Sequence, residues 1–374
     1  MWTGRVNLVD MSNPSLLNFE KALRSRRVLV TGHTGFTGSW ACLWLREIGC
    51  EISGLALPPD TAPAMFEATG LAAELASVYG DISDPEVVHE AIERHQPELI
   101  LHLAAQPLVR RAYREPARTF MVNAQGTAHV LDAARNHKCV KGVLCITTDK
   151  VYRNDEWVWP YRENDALGGK DPYSASKSAA EFVIQSFAES YPWQRGEGPA
   201  IATARGGNII GGGDWSEDRL IPDFVRAVVD GTTLTLRYPE STRPWQHVLA
   251  LVHGYLMLLA GLASGQPERY AQAWNLGPAD SREYTVRQVL DLLADAWQRP
   301  DLDYLENPLP EARALALDSS KARHHLRWLS PWNTERVVAE TARWYQAYHA
   351  DPSQARAISL EQIHALRSEL RALQ

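Results

Sequence analysis

RVLVTGHTGFTGSWACLWLREI, residues 27–48, decides the fold. Its first five residues are a short β-branched run ending at a glycine, the pattern of a buried strand. Over residues 39–48, Trp40, Leu43, Trp44 and Ile48 share one helical face. Between the two stand Gly32, His33, Thr34, Gly35, Phe36, Thr37 and Gly38, spaced GxxGxxG. Glycines at a strand–turn–helix junction permit a tight turn and let backbone approach a pyrophosphate at the helix N-terminus. The stretch therefore reads as a dinucleotide-binding turn.

Outward from it the pattern repeats. Short apolar runs at 50–56, 77–79, 99–103, 142–147 and 200–204 predict strands. They alternate with predicted helices at 84–95, 116–136 and 172–190. Asp84 and Pro85 supply the N-cap and first turn of one of these helices. Such alternation implies a parallel sheet with helices on both faces, an α/β, Rossmann-like doubly wound fold. After residue 205 the rhythm loosens. Helices at 218–230, 248–263, 285–298 and 334–349, with short strands near 233–236 and 272–276, suggest a smaller, mostly C-terminal substrate-binding lobe. The expected division is a Rossmann domain over 21–205 with a returning segment near 243–264, a substrate lobe over 206–242 and 265–350, and a helical tail over 351–374. Ile363, Leu366, Leu370 and Leu373 predict that the tail docks as a helix. Residues 1–20 read as an arm or a dimer contact.

The chain has 374 residues, 45% hydrophobic and 22% charged, so it can bury a large core. A net charge of −7 argues against general nucleic-acid binding, which needs a basic face. Cys42, Cys50, Cys139 and Cys145 form no CxxC pair and read as reduced core thiols. No apolar run is long enough for a membrane span, and the first residues lack a signal pattern. A cytoplasmic protein without membrane or nucleic-acid partners is expected, and no metal.

The acidic residue usual after the second strand is obscured by Leu57-Pro58-Pro59-Asp60, where Asp60 is the candidate. Between Glu51 and Glu67 there is no Arg or Lys to hold a 2′-phosphate, which favours NAD over NADP. Asp81 and Ile82 end the third strand where adenine would lie. Leu103, Ala104, Ala105 and Gln106 follow the fourth, where small residues let a cofactor lie close.

Tyr173 and Lys177 form YxxxK, one turn apart on a predicted helix. A lysine cation beside a phenol favours phenolate, giving a base for a sugar hydroxyl. Thr147, Thr148, Asp149 and Lys150 close the fifth strand, the end of a parallel sheet where ligands bind. Thr148 is expected to orient a hydroxyl, Asp149 to act as general acid and Lys150 as general base.

Together these residues resemble the extended short-chain dehydrogenase/reductases acting on nucleotide sugars. The segments TTDKVYRNDEWVWPYREND (147–165), GNIIGGGDWSEDRLIPD (207–223) and RPWQHVL (243–249) narrow the resemblance to the CDP-glucose 4,6-dehydratase branch. It covers about residues 26–346. It implies an enzyme, a lyase that converts CDP-glucose to CDP-4-keto-6-deoxyglucose and water. The route is oxidation at C4, elimination across C5–C6 and hydride return to C6. It also implies a nucleotide-sugar contact set of Gln106, Asn208, Arg219, Arg243, His247 and Asn275, adds Asn123 to the cofactor site, and suggests a homodimer or homotetramer built on the helices near 116–136 and 172–190. Trp157, Trp159, Trp215 and Trp245 are expected mostly to pack a lid over the sugar. Ala250 and Gly206 depart from the branch's usual glutamate and alanine. A nucleotide-sugar 4-epimerase, a dehydratase of another nucleotide sugar and a non-enzymatic dinucleotide sensor are the alternatives. The Asp149-Lys150 pair speaks against the epimerase, and the intact Tyr173/Lys177 pair against the sensor.

Overall fold

A computed structural model describes residues 16–278, 284–305 and 315–373; residues 1–15 of the expected N-terminal arm lie outside the described residues. The main sheet has seven parallel strands: β1 (Arg27–Thr31), β2 (Glu51–Ala56), β3 (Ala76–Tyr79), β4 (Leu99–His102), β5 (Gly142–Ile146), β6 (Ala200–Gly206) and a last strand at Ala273–Leu276. Their spatial order is last–β6–β5–β4–β1–β2–β3, so strand order reverses between β1 and β4. A crevice opens outside the strand ends at such a switch point.

The first half carries α1 (Leu16–Leu23), α2 (Phe36–Ile48), α3 (Met65–Ala68), α4 (Pro85–His95), α5 (Val109–Arg114), α6 (Pro116–Phe120), α7 (Gly126–Asn136) and α8 (Pro172–Ser190). Beyond β6 come β7 (Ile209–Ile210), α9 (Leu220–Asp230), β8 (Leu234–Leu236), β9 (Thr242–Arg243), β10 (Gln246–His247) and α10 (Val248–Leu262). The Ala273–Leu276 strand is β11, followed by β12 (Tyr284–Thr285), α11 (Val286–Ala296), β13 (Leu302–Tyr304), α12 (Thr334–Ala350) and α13 (Ala355–Ala372).

Each sheet face has its own core. One packs α2, α10, α12 and α13 around Trp40, Trp44, Trp274 and Trp344; the other packs α4, α7 and α8 around Ile92, Ile100, Val130 and Ile184. All fifteen residues of α10 are buried, which suits a helix apolar on every side.

Two expectations need correction. Residues 272–276 were assigned to the substrate lobe, but β11 pairs in parallel with β6 from Ala273↔Thr203 to Leu276↔Gly206 and completes the main sheet. The helix expected over 116–136 contains a π-helical turn at Met121–Gln125; such a turn adds a residue and re-aims a side chain. The tail docks as a helix, as its apolar spacing predicts: α13 buries Ile363, Leu366 and Leu370 in the larger core, and Arg367 pairs with Glu20 of α1 at 2.8 Å. Leu373, the last position of its apolar pattern, is exposed.

Candidate active site

The turn after β1 holds Gly32 at φ +74°, where its missing Cβ would lie 2.8 Å from the Ala104 backbone nitrogen. Glycine thus lets the β1 and β4 loops touch. Gly35 is the N-cap of α2 and no side chain caps that helix. A Cβ on Gly35 would approach only the Gly32 carbonyl, at 3.4 Å; its other side opens into the cleft. That open backbone face, beside an uncapped helix N-terminus, fits the diphosphate of a dinucleotide.

The cleft measures about 680 Å³ and runs from this turn, past the ends of β4 and β5, to the loop before α9 and the strand β8. Gly32, Thr34, Gly35, Phe36, Thr37, Gly38, Asp81, Ile82, Leu103, Ala104, Ala105 and Gln106 line the cofactor end. Thr147, Thr148, Asp149, Lys150, Tyr173 and Lys177 line the middle, and Asn208, Arg219 and Arg243 the far end. The phenol and the Asp149-Lys150 pair thus share one cavity.

Tyr173 is nearly buried, on the first turn of a helix capped by the Asp171 carboxylate, which accepts from Ser174 N at 3.0 Å. Burial pushes the phenol up to about 12; a hydrogen bond with Thr148 and the Arg219 charge oppose this, while Asp149 and Asp171 add to it. The lysine expected to depress the phenol donates instead to the Ile146 carbonyl at 3.2 Å. Burial lowers Lys177 itself to about 8, partly offset by Cys145 and Glu181.

Asp149 is 2% exposed, and burial raises its carboxyl above the usual range in spite of Lys150, Thr148 and Arg243. Thr148 donates to Asp149 Oδ1 at 2.9 Å, and its hydroxyl accepts from Lys150 N at 3.3 Å. A buried carboxyl inclined to keep its proton can serve as an acid. Lys150 is half-buried.

Four expected contact residues do not line the cleft. Asn275 is fully buried: its side chain accepts from Tyr152 Oη at 2.7 Å and donates both amide hydrogens to the carbonyls of Tyr161 and Asp318. His247 is the buried N-cap of α10, accepting from Leu249 N at 3.3 Å and packed between Trp40 and Trp332. The His33 ring turns under the turn, against Gly54, with Nε2 2.9 Å from Ser77 Oγ. Asn123 is buried behind the floor: Gln106 N donates to its Oδ1 at 2.8 Å, and its Nδ2 donates to Gln106 O and to Ser176 Oγ. The Gln106 side chain lines the cleft but is committed to Leu108 and Thr119.

The tryptophans divide. Trp215 and Trp245 line the cleft, whereas Trp157 and Trp159 are exposed away from it, Trp157 stacking on Tyr161 at 5.0 Å. Asp81 is held below its ordinary pKa: burial raises it, but hydrogen bonds from Ser83 and the paired Arg118 outweigh that. Asp60 reaches the cleft and pairs with Arg111 at 3.2 Å.

Glu217, Asp218 and the arginines of α5 add charges that the sequence alone did not single out. Asp218 lies 3.1 Å from both Arg110 and Arg237, and Glu217 lies 2.9 Å from Arg114. The run VRRAYR offered a signal, but its partners are about a hundred residues away in the chain.

The NAD dependent epimerase/dehydratase family profile matches residues 28–277. A CDP-glucose 4,6-dehydratase of Salmonella typhimurium is 41% identical over 331 residues, 87% of this chain and 92% of that protein. A dTDP-glucose 4,6-dehydratase of Xanthomonas campestris is 26% identical over 85% of this chain and 92% of its own. Among solved structures, a dTDP-glucose 4,6-dehydratase of Streptomyces venezuelae with NAD and TYD bound superposes with TM-score 0.72 at 25% identity, covering 87% of this chain and 98% of that one.

Proposed function

This chain belongs to the NAD dependent epimerase/dehydratase family, and from that premise we propose that it converts CDP-glucose to CDP-4-keto-6-deoxyglucose and water. It is an NAD-dependent enzyme. The observation that carries the reading is the meeting of Tyr173, Thr148, Asp149 and Lys150 in one cleft with the glycine turn. The 41% identical dehydratase supports the choice of substrate.

The 103–106 floor and the Gly32–Gly38 turn would hold NAD, which would supply a hydride acceptor for oxidation at C4 and a hydride donor for reduction at C6. Tyr173, as its phenolate, takes the proton of the C4 hydroxyl; burial opposes that form, while the Thr148 hydroxyl and the Arg219 charge favour it. The resulting ketone acidifies C5, and Lys150 removes that proton. Asp149, whose burial favours its protonated form, protonates the departing C6 hydroxyl, which leaves as water. A proton then returns to C5. Arg219, braced by Asp214 at 2.8 Å, and Arg243 hold the substrate diphosphate through charge-assisted hydrogen bonds.

Exposed Phe120, Met121 and Phe182 on α6, the π turn and α8 support self-association through these helices; light scattering tests for a homodimer or homotetramer. No helix among the described residues is long and apolar enough to cross a membrane.

A turnover panel of CDP-, UDP-, dTDP- and GDP-glucose tests the function. A 4-keto-6-deoxy product from CDP-glucose in preference to the others is expected. A galactosyl product would make the enzyme an epimerase, and turnover of none of the four would overturn the reading.

A further inference from the structure

His102, the last residue of β4, is fully buried beneath the cleft and does not line it. Its Nδ1 lies 2.7 Å from Thr31 Oγ1 and its Nε2 lies 3.0 Å from Thr127 Oγ1. The directions of these bonds follow from their neighbours. Thr127 donates its one hydroxyl hydrogen to the Asn123 carbonyl at 2.7 Å, so it must accept from His102. The imidazole hydrogen therefore sits on Nε2, and Nδ1 accepts from the Thr31 hydroxyl. Thr31 Oγ1 in turn accepts from Ala104 N at 3.2 Å. Burial and the Lys177 charge lower His102 to about 3, which keeps the ring neutral.

Each arm ends on the site. One runs through Thr31, the residue before Gly32, to Ala104 in the cleft floor. The other runs through Thr127 to Asn123 in the π turn. Asn123 clamps Gln106 at both backbone atoms and donates to Ser176 Oγ at 2.9 Å; Ser176 donates to the Tyr173 carbonyl at 2.7 Å. We propose that His102 is a positioning residue, a single-tautomer imidazole that holds the cofactor floor and the helix of Tyr173 and Lys177 in one register. Neither tyrosine nor cofactor is touched by it; it acts through Ala104 and Asn123. The proposal rests on the reading of this cleft as an NAD site, in which small displacements of reacting groups are costly.

The test uses the full chain with His102→Leu, His102→Gln and Thr127→Val. Readouts are NADH affinity by fluorescence titration, kcat and KM with CDP-glucose, and thermal midpoint. His102→Leu is expected to weaken NADH binding about tenfold and lower kcat about ten- to hundredfold, with KM for the nucleotide sugar within about threefold. His102→Gln, which restores a donor toward Thr127, recovers much of kcat. Thr127→Val, which leaves the Thr31 arm intact, lowers kcat while NADH affinity stays near the parent's. The double variant His102→Leu/Thr127→Val falls no further than His102→Leu alone, because both cut one path. NADH affinity and kcat within about twofold of the parent, with only the thermal midpoint lowered, would reduce His102 to packing and sink the proposal. Should His102→Leu fail to fold, an unchanged kcat in Thr127→Val does the same. A parent inert toward CDP-glucose would defeat the proposed function, while NADH affinity would still decide His102.

Discussion

Asp149 and Lys150 are neighbours in the chain with unlike surroundings: the carboxylate is 2% exposed, whereas the lysine faces the cleft half-buried. That difference suits an acid that keeps its proton and a base that can reach a sugar carbon. Lys150→Ala is therefore expected to stop the reaction after oxidation, with near-ultraviolet absorbance of reduced nicotinamide building up on mixing with CDP-glucose. Dehydration at the parent rate would remove Lys150 from the mechanism. Lys177 carries a second prediction. Its pKa falls from an ordinary 10.5 to about 8 on folding. Between those values the unfolded chain holds a proton that the folded chain has lost, so stability rises with pH across the window. Below about 8 the ammonium is charged in both states and its burial costs the fold in full. Lys177→Met should be more stable than the parent at neutral pH, by up to about 3 kcal/mol. That advantage should shrink as pH rises through 8 toward 10.5. Thermal midpoints of variant and parent across that range check it; a constant gap would contradict it.

At the scale of elements, α5 and residues 214–219 form a charged clasp across the cleft. Arg110 and Arg237 share Asp218, Arg114 holds Glu217, and Arg111 reaches Asp60 on the cofactor side. Asp218 takes a left-handed backbone, φ +62°, uncommon for a side chain other than glycine. These pairs are partly exposed, so each adds little to global stability and is screened by salt. Their effect should fall on ligand retention. The double variant Glu217→Gln/Asp218→Asn is expected to lose bound NAD on gel filtration, with a thermal midpoint near the parent's. The parent should retain less NAD at high salt than at low salt. Retention that neither substitution nor salt alters would show that the clasp closes nothing.

Over the whole molecule, burial of neutral histidines governs response to acid. His102, His247 and His253 are lowered to about 3 and His33 to about 4, in each case chiefly by burial, from an ordinary 6.5. As pH falls below 6.5 the unfolded chain takes up protons that the folded chain refuses until about 3–4. Stability should therefore drop with acidification, by about 1.4 kcal/mol per histidine per pH unit. Urea midpoints should decline steadily from neutrality toward about pH 4.5; a flat profile there would mean that these rings are not buried as described. The strand–turn–helix at 27–48, the parallel alternation and the YxxxK helix were legible from the chain alone, because they rest on local periodicity and on glycine's freedom near neighbours. Asn275, His247, His33 and Asn123 could not be placed the same way. Each is a polar side chain whose hydrogen-bond partners or packing neighbours lie mostly on distant segments, and those decided that it faces the interior and not the cleft. The strand at 273–276 is a like case, since a short apolar run declares a strand but not the sheet it joins. The chain alone declares the main strands and helices and the chemistry available at the strand ends. Which side chains remain available to that chemistry was settled by the fold in three dimensions, because a buried polar group must find its partners wherever the fold supplies them.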